Sequence, residues 1–255
     1  MAVLCLAACR SKGPAGAALP PGLTVEEYEL KGYPELEPLA FAPVLGTQQE
    51  ILSKHTLERA DSFPDNSTFF GSQPAMMVQI GTGRLVALES FTPGKVVSSG
   101  VFEKVTVEVS RDGRAIYSIP AGDGSPINTL QGLWYFSDHW VLEIAHVDQH
   151  ISGNEISLDS FGQVVEDGVI LNDRYGYQEA FGYQLMNGKP FYFFKQDGRI
   201  GISYDSQEIP LGYDTIPHYG CCSAAAANPR HAHKMVAFFA QRSRKWYYVE
   251  IGVYK

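Results

Sequence analysis

The sequence predicts an all-β protein built as an antiparallel meander of hairpins. Three observations carry that prediction. Aromatic residues reach 12%, with 14 Tyr and 14 Phe, and such side chains fit pleated, half-buried surfaces. From Met76 onward, short apolar runs alternate with compact turn signals. Those signals include Asp112-Gly113, Asn187-Gly188 and Asp197-Gly198, and Asp-Gly or Asn-Gly between β-type runs is the strongest short-range mark of a hairpin.

The elements follow in order. Residues 10–24 are rich in Pro, Gly and Ala and read as a flexible tether with little to bury. A single all-β domain is expected over 25–255, since such domains often reach this length as one unit. Near 47–60, Thr47 and Glu50 stand at capping-box spacing ahead of Ile51 and Leu52, which predicts one short helix. The hairpins come next, with turns at Gly81-Thr82-Gly83, Asp112-Gly113, Ser137-Asp138, Asn187-Gly188, Asp197-Gly198 and Arg242-Ser243. In Phe191–Phe194 both strand faces are apolar, as in a strand covered on two sides. In the last strand Tyr247, Val249, Ile251 and Val253 share one face, and Trp246, Tyr248, Glu250 and Tyr254 the other; the first set makes the better core.

Three of these hairpins look alike. "WYFSDHWVLEI", "FYFFKQDGRIGISY" and "VAFFAQRSRKWYYVEI" each join an aromatic run to a second aromatic or β-branched run through a short polar turn. They resemble the repeats of β-propeller proteins, which recur every ~40–50 residues. The resemblance implies a small or irregular propeller-like domain. A two-layer sandwich or barrel is the alternative for evenly spaced short strands.

The N-terminus bears on location. Leu6-Ala7-Ala8-Cys9 resembles the lipobox of bacterial lipoproteins, in which a small residue precedes the cysteine that receives lipid after cleavage. The resemblance makes residues 1–9 the remnant of a lipoprotein signal and Cys9 the lipidated residue. Eight residues precede Cys9 and none is basic, so the match covers the cleavage end of a signal peptide and not its basic start. It implies an extracytoplasmic protein of the bacterial cell envelope, attached to the membrane through Cys9. One acyl chain anchors only marginally, so stable attachment needs more than one. The net charge of −8 argues against nucleic acid as a partner.

Two constellations could carry chemistry. In "HYGCCSAAAANPRHAH", residues 218–233, stand His218, Cys221, Cys222, His231 and His233. With Cys9 lipidated and Cys5 removed, Cys221 and Cys222 are the thiols left, and a disulfide between them is the leading use. Its Cα atoms would lie ~3.8 Å apart, below the usual ~4.4–6.8 Å, which makes such a ring strained and easily reduced. The five side chains also form a candidate Zn or Cu set, although zinc sites usually space their cysteines by two to four residues. A third use is a cysteine nucleophile, its pKa lowered at the start of a one-turn Ala helix that Asn228-Pro229 stops. The second constellation is His146, Asp148 and His150, whose alternation puts two imidazoles and a carboxylate on one strand face. That is a second metal candidate, or simply the polar end of a strand leaving the core.

No catalytic signature stands out: there is no Gly-x-Ser-x-Gly elbow and no phosphate-binding glycine loop. The leading expectation is therefore a non-catalytic binding or scaffold module, without a cofactor, whose ligand is a glycan or an envelope protein. The alternatives are a metal-handling envelope protein using the 218–233 cluster, and an envelope hydrolase with Cys221 or Cys222 as nucleophile.

Overall fold

The computed structural model describes residues 11–12, 19–30, 67–70, 73–97, 100–124, 128–152, 155–219, 225 and 228–253. They are almost wholly strand. In chain order come β1 (Ser11–Lys12), β2 (Leu23–Glu29), β3 (Ser67–Phe70), β4 (Gln73–Ile80), β5 (Gly83–Val97), β6 (Gly100–Arg111), β7 (Arg114–Asp123), β8 (Leu130–Phe136), β9 (His139–Ser152) and β10 (Glu155–Glu166). They continue with β11 (Val169–Ile170), the short helix α1 (Leu171–Tyr175), β12 (Glu179–Met186), β13 (Lys189–Gln196), β14 (Arg199–Tyr204), β15 (Gln207–Tyr213), β16 (Arg230–Ala232), β17 (Met235–Arg242) and β18 (Lys245–Val253). The all-β prediction holds, with antiparallel sheets whose strand orders stay open and close no barrel. The helix expected near 47–60 lies outside the described residues. β2 opens at Leu23, inside the span expected as tether, and Leu23 is buried.

The chain divides into two compact units, residues 63–183 and residues 1–62 with 184–255; the expected span 25–255 takes in parts of both. In the first unit β3 to β7 form one antiparallel meander and β8 to β11 another. Among the described residues their only strand pairing is one parallel pair, Gly122 with Val147. Only glycine fits there: φ is +86°, and a Cβ would stand 2.0 Å from the Val147 carbonyl oxygen. The core of this unit gathers Leu85, Val107, Val109, Leu133, Leu142 and Ile144, alternate residues of strands half covered by the neighbouring layer.

β12, β13, β14 and β15 form a four-stranded sheet, with β12 running from the end of the first unit into the second and β13 to β15 wholly in the second. The last sheet joins the two ends of the chain: β2 lies beside β18, with Tyr28 opposite Tyr248, in the order β1, β2, β18, β17, β16. Phe191 to Phe194 are all buried, as both apolar faces predicted. β18 buries its predicted core face and is covered on the other face as well. Tyr247, Val249 and Ile251 are buried, and so are Tyr248 and Glu250 from the other face.

Two-residue turns set the register. Asp112-Gly113, Ser137-Asp138, Asn187-Gly188 and Asp197-Gly198 each hold positive φ at both positions, the geometry that matches the twist of a hairpin. Asp167-Gly168 and Asp205-Ser206 do the same and were not foreseen. The last turn is Ser243-Arg244, one residue later than predicted. That shift removes Arg242 from the turn and places it in β17. Its guanidinium donates to both oxygens of buried Glu27, at 2.6 and 3.0 Å, and lies over the rings of Tyr213 and Tyr247, at 5.2 and 4.5 Å from their centroids. The Tyr213 hydroxyl also donates to Glu27. Burial, with the Glu27 carboxylate beside it, holds the Tyr213 phenol far above its ordinary range.

Two outcomes follow for stability. Glu27→Gln leaves a largely covered guanidinium without its counter-charge and is expected to cost about 2–4 kcal/mol; Glu27→Leu with Arg242→Met is expected to recover most of that loss, both read by urea unfolding. The second concerns Glu89, buried on β5, which accepts the Leu130 amide at 2.8 Å. Burial raises its pKa, against the opposing pull of that hydrogen bond. A raised folded pKa adds stability that is complete below the unfolded value, about 4.3, and lost as pH rises through the folded one. Glu89→Gln keeps an acceptor without the charge, so its melting temperature should exceed the wild type at pH 7 and lose that advantage towards pH 4.

Candidate functional site: the acidic ribbon of β9 and β10

No Lys or Arg occurs between Arg114 and Arg174, while Asp123, Asp138, Glu143, Asp148, Glu155, Asp159, Glu166, Asp167 and Asp173 all fall there. Over the whole chain acids exceed bases only 28 to 20, so the negative excess is concentrated in this stretch. Reading the sequence motif by motif missed it. The signal was the length of chain lacking a basic residue.

Within this stretch β9 and β10 build a two-stranded ribbon that starts in the core and ends in solvent. β9 and β10 pair without interruption from Val141 with Glu166 to Ser152 with Glu155. At the inner end Leu142, Ile144, Val164 and Val165 are fully buried. At the outer end Ser157, Leu158, Asp159 and Ser160 are all exposed. Three devices hold the inner part in place. The buried Glu143 carboxylate accepts the Gly182 and Tyr183 amides, at 2.8 and 2.7 Å. The Asn172 side chain accepts from the Val164 amide at 3.3 Å and donates to the Gly162 carbonyl at 2.9 Å. Glu179 accepts the Gly162 amide at 3.0 Å. On the far flank Asp123 pairs with Lys104 at 2.5 Å and accepts the Gln149 amide at 3.1 Å. Burial pushes the Asp123 carboxyl up, but those two partners outweigh it and hold it below the usual range.

His146, Asp148 and His150 share one face of β9, as their alternation predicted, and the face changes from apolar to polar along the strand. Each imidazole has its own carboxylate. His146 Nε2 lies 3.4 Å from Asp148 Oδ1, and His150 Nε2 lies 3.1 Å from Asp159 Oδ2 on β10. His146 also stacks on Phe161, centroids 4.8 Å apart. Asp148 and Asp159 stand directly opposite in the ladder, an arrangement that like charges disfavour. Asp159 is the member that sequence reasoning did not find, since only the β9–β10 register brings it there. Among the described residues no three His, Cys, Asp or Glu side chains converge on a position for a metal ion.

The 218–233 cluster is described only in part. Cys221 and Cys222 lie outside the described residues, as does Cys9. His218 donates from Nδ1 to the Ile216 carbonyl at 2.6 Å and meets the Tyr219 ring edge-on. His231 is buried on β16, and His233 is exposed in the turn after it. Asn228, read from sequence as a helix stop, makes a bidentate pair with the backbone of Phe239: it donates to the carbonyl at 2.8 Å and accepts the amide at 2.9 Å.

No family model, curated protein or solved structure matches this chain. The chemistry available is that of the ribbon. It offers carboxylates and imidazoles on one face and backbone groups along an edge, which suits recognition of a cationic or hydrogen-bonding partner.

The side-chain splint on β10 is testable. Asn172→Ala strips two backbone groups of their partner, at an expected cost of about 1–3 kcal/mol. Hydrogen exchange should then quicken at the Val164 amide and stay unchanged at Val107 in β6.

Proposed function

We propose that the protein is a non-catalytic binding or scaffold module of the bacterial cell envelope, anchored by lipid on Cys9. The observation that carries the binding part is the outer end of the β9–β10 ribbon. It sets Asp148, Asp159 and His150 on one face open to solvent, with half-buried His146 at the inner end of the same face. The lipobox-like Leu6-Ala7-Ala8-Cys9 and the Pro/Gly/Ala-rich segment after it support the anchored part. Among the described residues no helix is long and apolar enough to cross a membrane; on this reading lipid on Cys9 makes the attachment.

A propeller-like arrangement of the strands is part of this proposal. β12 to β15 form a four-stranded sheet taken in sequence order, and β2 supplies a strand to the sheet of β16, β17 and β18. A sequential four-stranded meander, and a last one completed by the N-terminal strand, are the strand patterns of propeller blades. Modules of this type bind through rims and loops, with the strands as scaffold.

A thermal-shift screen of the purified chain against peptidoglycan fragments, other glycans and cationic peptides tests the binding reading. An upward shift that Asp148→Asn and Asp159→Asn abolish is the expected result, and a wholly negative screen removes it. The anchor is read from intact mass of the envelope-fraction protein. A lipid increment on the N-terminal peptide is expected, and Cys9→Ser should release the protein into the soluble fraction.

A further inference from the structure

Beyond the carboxylate face, β10 has a backbone edge that no described residue pairs with along its outer half, and the hydrogen bonds of its inner half identify the groups that line it. In an antiparallel pair each residue turns both its N–H and its C=O towards one neighbour, and successive residues alternate. Gly162 and Val164 face away from β9, because Glu179 and Asn172 take their outward groups. By the same alternation Ser160, Leu158 and Ile156 also turn their peptide groups outward. β11 covers only Val165 and Glu166, and no described residue pairs with β10 between Glu155 and Phe161. The fold satisfies the inner part of this edge with the Asn172 and Glu179 side chains, and among the described residues nothing pairs with the outer part.

Resting on the binding reading above, we propose that the outer edge of β10 takes an extended basic peptide as an added strand, antiparallel or parallel, over Glu155–Phe161. An exposed edge of this length is a template for strand addition. Charge selects the occupant. A strand laid against β10 puts alternate side chains beside Glu155 and Asp159 on one face, with Asp148 behind them, and the residues between them beside exposed Leu158 on the other. Its sequence should therefore alternate Lys or Arg with a β-branched apolar residue. A second copy of this chain is disfavoured there. Edge-to-edge pairing would gather both copies' Glu155, Asp148 and Asp159, and the stretch from residue 115 to residue 173 has no Lys or Arg to offset them.

The test uses the full purified chain and a fluorescein-labelled peptide of alternating Lys and Val. Fluorescence polarisation should show saturable binding that weakens at least tenfold between 50 and 300 mM salt, as screening of exposed charges requires. A Glu/Val peptide should not bind. A Lys/Val peptide N-methylated at alternate residues along the edge that would meet β10 keeps its charge but cannot form the ladder, and it should lose binding at least tenfold. On the protein side, Leu158→Pro removes an N–H that β9 does not use, and should abolish binding with an unchanged melting temperature; Asp159→Asn with Glu155→Gln should weaken it about tenfold and flatten the salt dependence. Equal binding of the N-methylated peptide would mean charge attraction alone and would overturn strand addition. So would the absence of binding at millimolar peptide. If a glycan then still shifts the melting temperature, the binding reading stands and only the peptide edge falls.

Discussion

The sheets of this protein depend on buried side chains that complete the backbone hydrogen bonding where a neighbouring strand runs out. A peptide group buried without a partner costs on the order of 1–3 kcal/mol, so every covered strand end needs an answer. Glu89 on β5 answers for the first residue of β8, and Glu143 on β9 answers for two residues of β12. The two contacts share a form: a carboxylate on an inner strand of one meander accepts from the first strand of the next. Asn172 and Asn228 supply the version with both donor and acceptor, pairing with β10 and β17 as a short strand would. Side-chain amides can do this because they carry the same two groups as a peptide unit.

Glu27 meets a different need. It lies on the N-terminal strand of a sheet whose other main strands come from the C-terminal end of the chain. The β2–β18 ladder supplies backbone pairing, while the Glu27–Arg242 pair, with Tyr213 and Tyr247 packed around the guanidinium, fastens β2 to residues of β15, β17 and β18. A planar guanidinium can make the bidentate bond and stack on aromatic rings together, which a lysine could not. The cluster therefore ties together segments that are far apart in sequence, where loop closure costs the most chain entropy.

The candidate site was partly legible. Alternation at His146, Asp148 and His150 put them on one face, because the side-chain period of a strand is fixed at two. What each imidazole meets was hidden, since Asp159 arrives through a register set by the hairpin between β9 and β10. The concentration of acid between Arg114 and Arg174 was in plain view as letters. Three of those letters gained meaning only when Asp148, Glu155 and Asp159 became the outer end of one ribbon. Arg242 went the other way. As part of "RSRK" it read as a turn cation, and a one-residue shift of the turn made it a half-buried partner of Glu27.

From the residues alone follow the strand class and most hairpin positions. These rest on local physics: side-chain period, β-propensity, and the tolerance of Asn, Asp and Gly for positive φ. Even the missed turns, Asp167-Gly168 and Asp205-Ser206, obey the same rule. Tertiary structure alone decided which strands are neighbours, which polar groups are buried, and which edge stays open. The reason is that a hydrogen bond from the Tyr183 amide to Glu143, or between Asn228 and the Phe239 backbone, depends on where two distant segments meet. No local pattern records that meeting. The outer edge of β10, which no described residue pairs with, is its clearest product, defined by the groups that Asn172 and Glu179 reach and by those beyond their reach.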